Sequence, residues 1–374
     1  AFFSYVTVGL GERMGKGIAV VALIAYTAIQ IGIYGYIGWA IGDTVAFYNG
    51  PVIPWPVYSF AVLAIVAVLG YRHIELSAKV LGVALALEIG IVVILDLAIV
   101  ADPGPAGITF ASFTPAVFGQ GAGGIAILFA LTGFIGFEAT AVFRDEARDP
   151  ERTIPRATYA AVLLIGAFYT LTVWAFVVAI GPDLVAATAQ QTLDGEGNML
   201  LDTTDATLGR AGRDIVNVLL LTSLFACVLS FHNVIARYQF VLSRKGLLPA
   251  RLGTVHGSHE SPAFSSVVQT VTAAIIVAIL AILGIDPLVG VFGSMAGVAT
   301  VGMVLLMLTT SVAVLVFFLK NRELGGTAVW RTRIAPVLAV LGLLASLWLV
   351  LSNFTLVTGG SAALPSGPYL LVIH

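Results

Sequence analysis

Charge is what this chain has least of. Lysine, arginine, aspartate and glutamate together make up 10% of its 374 residues, against about a quarter in soluble domains. That scarcity excludes an ordinary soluble globule. Cysteine is almost absent: Cys227 stands alone, so no internal disulfide can form. It reads as a small packing residue in an apolar run. Period-two alternation is missing over most of the chain, which argues against a membrane β-barrel. The net charge of −2 offers no argument for nucleic acid, and no such partner is expected. No H-E-x-x-H or G-x-S-x-G run occurs, so nothing points to an enzyme. The G-x-G-x-x-G match from Gly119 to Gly124 opens an apolar helix instead of following a strand, and is rejected as a nucleotide loop. His256 and His259 have the spacing of a metal pair but lie in a polar loop without cysteines. No metal or cofactor is expected.

Apolar length is what remains. Apolar residues make up 59% of the chain. Runs of eighteen or more nearly uncharged residues recur, each able to cross about 30 Å of hydrocarbon. The expected class is an all-α polytopic membrane protein, one transmembrane domain over residues 1–374 with the lipid bilayer as its solvent. Spans are expected at about 17–42, 57–71, 77–100, 123–143, 157–181, 214–242, 262–283, 289–319 and 334–356, with a partial last helix from 369. Ala1 to Lys16 reads as an interfacial connector and not as a signal peptide. Pro182 to Arg213, polar and acid-rich, reads as the longest connector, a lid or a mobile segment. Gly32, Gly35, Gly38 and Gly42 recur at steps of three, three and four. Such a stripe lets helix backbones approach closely.

Alternating loops put sixteen of the eighteen lysines and arginines on the side where the chain starts. Only Arg210 and Arg213 fall on the other. The positive-inside rule makes the basic loops cytoplasmic in a multi-pass protein of the cell (plasma) membrane. Spans one to three and six to eight are offset by 197, 205 and 212 residues and enter from opposite sides. That is the spacing of an inverted repeat, whose substrate site lies at the repeat interface. Spans four and five then lack counterparts. Two helices are expected before Ala1, so the chain reads as truncated.

The fourth span carries the strongest local signal. Gly133 and Gly136 interrupt an apolar helix, and Glu138 follows at membrane depth. Glycine is poor in a helix interior. Irregular backbone within a membrane is tolerated only beside protein or a water-filled cavity. A buried acid there is by default a pathway or proton-relay group, and it can also cap freed amides. Thr132, Gly133, Phe134, Ile135, Gly136, Phe137 and Glu138 are therefore the expected substrate half-site. Glu88 is the second buried acid, open to two readings: a hydrogen-bonded structural carboxyl or a proton-coupling site. Asp96, two turns on, reads as interfacial. Tyr26, beside the glycine stripe, and Ser230, beside His232 and Asn233, are further candidate substrate contacts. A lone membrane histidine is more often packed and hydrogen-bonded than a ligand. Arg144 to Arg156 reads mainly as a loop that fixes topology, its prolines ending one helix and starting the next.

Several of these runs resemble a known family. Phe134 to Glu138, followed by Asp149-Pro-Glu-Arg-Thr-Ile-Pro-Arg156-Ala157, resembles the sixth helix and following loop of amino acid–polyamine–organocation (APC) permeases. Arg237-Tyr-Gln-Phe-Val-Leu-Ser-Arg-Lys-Gly-Leu-Leu-Pro249, with Ser261-Pro262 beyond, resembles their eighth helix and its exit loop. Ala1 to Tyr5 and Gly9-Leu-Gly11 are similar to their segment between the second and third helices, and Glu75 to Lys79 to the entry of the fifth. The resemblance implies a twelve-helix permease with a five-plus-five inverted repeat (LeuT-like), of which this chain covers helices three to eleven. It implies that carbonyls at Phe134, Ile135, Gly136 and Phe137 bind the substrate amine, while a first helix, whose glycine motif is absent here, binds the carboxylate. Glu88 lies nine residues after Lys79, where some members carry a lysine thought to replace sodium. An acid there leaves the coupling ion, H+ or Na+, open. The expected function is secondary active transport of amino acids or related amines by alternating access, proton-coupled or by exchange. The alternatives are a sodium-coupled carrier, a membrane amino-acid sensor without transport, and a channel.

Overall fold

The computed structural model describes residues 2–72, 78–118, 123–137, 149–254, 262–321, 323 and 329–354. These residues form helices and connecting turns, with no strand among them. In chain order the α-helices are α1 (Phe2–Leu10), α2 (Glu12–Phe47), α3 (Trp55–Tyr71), α4 (Ala78–Ala101), α5 (Pro115–Phe118), α6 (Gly123–Thr132), α7 (Pro150–Ile180), α8 (Val185–Leu193), α9 (Met199–Arg244), α10 (Ala263–Ile282), α11 (Ser294–Lys320) and α12 (Ala335–Ser352). Wider π turns lead into the last two, at Pro287–Gly293 and Trp330–Ile334. Seven of the described helices are long and apolar enough to cross a membrane. With this composition, the fold is an all-α polytopic membrane protein.

Helix α2 is the axis of the molecule. It packs against α1, α3, α9, α10, α11 and the π turn before α11. At 36 residues it is about 54 Å long, more than the hydrocarbon alone requires. Its glycine stripe explains how so many neighbours fit. A Cβ at Gly35 would stand 2.7 Å from Val291 Cγ1 and 2.9 Å from the Pro287 carbonyl oxygen. Beside Gly38 the Ser59 hydroxyl reaches from α3 to donate to the Tyr34 carbonyl at 2.6 Å. The largest core cluster follows from these approaches and joins α2, α3, α9, α10 and the start of α11. Farther out, Leu95 and Ile99 of α4 pack on Ala175, Phe176 and Val178 of α7. Leu128 of α6 packs on Val350 of α12.

Two expectations about connectors need correction. The start of the chain is not a plain connector: α1 is a helix with Val6 fully buried, packed against α11 and α2. Its apolar face found partners that local sequence does not reveal. The polar stretch from Pro182 to Arg213 is mostly helical, not an open lid. It holds α8 and the first turns of α9. Asn198 and Asp202 cap that start reciprocally: the Asn198 side chain accepts from Leu201 N–H at 3.2 Å, and Asp202 accepts from Asn198 N–H at 2.8 Å. Gly209, at φ 71°, bends the early turns into the long apolar part of α9.

Candidate functional site

The fourth span breaks at its glycines. Helix α6 ends at Thr132, and the backbone bonding tightens beyond it. Gly133 N–H still donates four residues back, to Phe129 at 3.1 Å. Phe134, Ile135 and Phe137 donate only three residues back, to Leu131, Thr132 and Phe134, at 3.0, 3.0 and 3.2 Å. Gly136 then takes a φ of 109°, a conformation that side-chain-bearing residues rarely adopt. Among the described residues no atom lies within 4 Å of where its Cβ would stand. Glu138 lies outside the described residues, as do His256 and His259.

Neighbouring helices hold the break in place. The Thr132 hydroxyl donates to the Leu128 carbonyl at 2.8 Å and lies 2.5 Å from the Thr300 hydroxyl of α11. With its proton committed inside α6, Thr132 accepts from Thr300. Gly133 lets Tyr169 of α7 come close: a Cβ there would stand 2.7 Å from the ring. Phe134 lies over Gly166 of the same helix. Ile135 points inward and packs against two core clusters at once. Tyr26 belongs to the second of these, and Phe231 of α9 touches both. The Tyr26 ring is 6.2 Å from Phe231 and 6.3 Å from Tyr238. The broken turn, Tyr26 and Phe231 therefore converge where the two clusters meet, in an aromatic and aliphatic setting.

Glu88 and Ser230 come together elsewhere. A cavity of about 830 Å³ lies among α2, α3, α4 and α9, and both residues line it. The Ser223 hydroxyl donates to Glu88 Oε2 at 3.2 Å. Most of the remaining wall is apolar, including Ile37, Val62 and Phe225. No residue of the broken turn lines it. Among the described residues the ion pairs join Lys16 to Glu12 and Arg210 to Asp214, and none reaches Glu88. Among the described residues its carboxyl thus has a hydroxyl neighbour and no ion-pair partner. Asp96 Oδ2 accepts from Thr172 of α7 at 2.8 Å.

His232 is a packed, hydrogen-bonded group. Its Nε2 lies 2.8 Å from Ser266 Oγ, and its Nδ1 lies 3.5 Å from Gln30 Nε2. Gln269 donates to Gln30 Oε1 at 2.7 Å and accepts from Gln239 at 3.0 Å. The chain of amides ties α2, α9 and α10 together in the buried core. Thr300, Tyr169, Phe231 and Ser223 had no distinguishing signal in the sequence. Each matters because a distant helix delivers it.

Comparison with known proteins adds an independent line. The sequence pattern of the amino acid permease family matches residues 2–373. The chain is 26% identical over 278 residues to the branched-chain amino acid permease BcaP of Bacillus subtilis, covering 70% of this chain and 56% of that protein. It is 26% identical over 277 residues to an uncharacterized transporter of Rhizobium meliloti, covering 72% of this chain and 57% of that one. Over 145 residues, 37% of this chain, it is 26% identical to the serine/threonine exchanger SteT of Bacillus subtilis, of which 31% is covered. The chain spans little more than half the length of the first two relatives.

Proposed function

The chain belongs to the amino acid permease family, and from that premise we propose that it works as a secondary transporter of amino acids by alternating access. The observation that carries this reading is the left-handed turn at Gly136, where the backbone leaves regular helical bonding. A turn of this kind breaks the regular i to i−4 ladder at membrane depth and gives carbonyl oxygens new directions. An ammonium group has three donors and no acceptor, so backbone carbonyls suit it. Ile135, Tyr26 and Phe231 beside the turn form an apolar setting for an aliphatic side chain. The name of the branched-chain permease relative points to the same substrate type. The basic loops face the cytoplasm, and spans one to three and six to eight form the inverted repeat.

Glu138, two residues past the turn, links occupancy to gating. In the full-length protein, Glu138→Gln is expected to reduce uptake of radiolabelled leucine into liposomes severely, at normal membrane insertion. Wild-type uptake by that variant would remove the assignment. The same assay separates a carrier, with turnover-limited flux, from a sensor, with none. Glu88 couples transport to protons: its carboxyl lines a cavity, accepts from the Ser223 hydroxyl, and makes no ion pair among the described residues. Glu88→Gln is expected to flatten the dependence of uptake on pH; an unchanged pH profile rejects the role.

A further inference from the structure

The end of α9 opposite Arg237 and Arg244 holds a buried cation that makes no ion pair among the described residues. Arg213 is 2% exposed. Among the described residues, two of its three guanidinium nitrogens, Nε and Nη1, have no hydrogen-bond partner. Among the described residues it makes no ion pair. Its Cζ stands 3.1 Å from the centroid of the Phe47 ring of α2. Arg210, one turn earlier, lies 4.1 Å from the same centroid and 5.0 Å from that of Tyr48. Two guanidinium groups therefore share one aromatic ring. The acids that the neighbouring side chains hold pair with other groups. Asp214 accepts from Tyr48 at 2.6 Å and pairs with Arg210 Nε at 3.4 Å. Asp43 accepts from Asn198 at 2.8 Å. Cation–π stacking stabilises a guanidinium but supplies no acceptor for its N–H groups. An unpaired buried cation is costly, and an anion would offset that cost. These are also the two basic residues that stand against the charge bias of the loops. Arg210 and Tyr48, which meet at the same aromatic pair, are exposed.

We propose that Arg213, stacked on the Phe47 ring that it shares with Arg210, is an anion-binding site that takes the carboxylate of an amino acid entering from this end of the bundle. The source of the carboxylate rests on the transporter reading; the site itself does not. The experiment is a binding measurement, so the two can fail separately. The purified full-length protein is placed in phosphatidylcholine nanodiscs, and its thermal stability is titrated with isovalerate, a carboxylate without an amine, and with isoamylamine, the reverse. Isovalerate is expected to stabilise the wild type and isoamylamine to have no effect through this site. Arg213→Gln is expected to weaken isovalerate binding at least tenfold, and Arg213→Lys to retain part of it. Equal isovalerate binding by the wild type and Arg213→Gln, or no isovalerate effect on the wild type, overturns the proposal. So does Asp43→Asn reproducing the Arg213→Gln result, which would mark an internal ion pair. A last arm adds phosphatidylglycerol. Loss of isovalerate binding there, with an Arg213-dependent gain in stability from the lipid alone, assigns the site to a headgroup phosphate and overturns the carboxylate.

Discussion

Gly35 of α2 and Gly136 beyond α6 each close a pair of glycines spaced by three, yet they leave the backbone in opposite states. Around Gly35 the space is taken: Val291 and the Pro287 carbonyl stand under 3.0 Å from where a Cβ would sit, and the helix runs on unbroken. Around Gly136 no described atom stands where a Cβ would sit, and the backbone has left the helical region. One pair lets another segment approach an unbroken helix. The other ends a helix and redirects its backbone. The residue and the spacing are shared; the neighbour decides. A membrane offers no water to irregular backbone, so such a turn persists only beside a partner or a cavity. That asymmetry makes the second pair the candidate site and the first pair its scaffold.

The comparison is most exposed at Gly35. Gly35→Val places branched carbon against a backbone carbonyl that cannot withdraw without moving the π turn. The expected loss is about 3 kcal/mol or more, at the upper end of overpacking effects. It would be read as a large fall in thermal unfolding temperature or in monodisperse yield. A variant of normal stability would show that α2 and the π turn are not in close contact. Gly136→Ala should behave differently. Among the described residues no neighbour obstructs the added methyl, so the cost is local backbone strain of about 1–3 kcal/mol. The protein should fold and insert, with leucine uptake reduced more than tenfold as the turn relaxes. Normal uptake by Gly136→Ala would remove this turn from the mechanism.

The break itself was legible in the sequence, because two glycines and an acid in an apolar run leave few physical options. The close-packed role of Gly32 and Gly35 was legible too, though not that a π turn is what they admit. What sequence could not supply was delivery. Ser230 and Gly133 both carry plausible substrate-contact chemistry, but they face different spaces: Ser230 lines the cavity with Glu88, while Gly133 faces Tyr169. The side of α9 that a residue occupies depends on its rotation relative to α2 and α4, which no local pattern encodes. His232 sits two residues from Ser230, on the opposite, buried side, inside an amide chain. The capped start of α9 was hidden for another reason. Its composition is polar, and its helicity depends on the Asn198 and Asp202 cap and on the Gly209 bend.

The smallest expected effect concerns whether the turn at Gly136 needs its outer support. Thr300 donates to Thr132, but Thr132 already has an acceptor in Leu128 of its own helix. Thr300→Val therefore leaves no polar group of Thr132 without a partner, and the shape is nearly conserved. The net loss should be about 1 kcal/mol, one hydrogen bond. Leucine uptake should fall by less than threefold, because the contacts of Tyr169 with Gly133 and of Ile135 with the two clusters still position the turn. A near-complete loss of uptake at normal stability would mean that α11 controls the turn through that single hydroxyl. The contrast with Gly35 would then change in kind. The turn at Gly136 would be held by one polar contact, where the glycine stripe of α2 is held by packing along a whole helix.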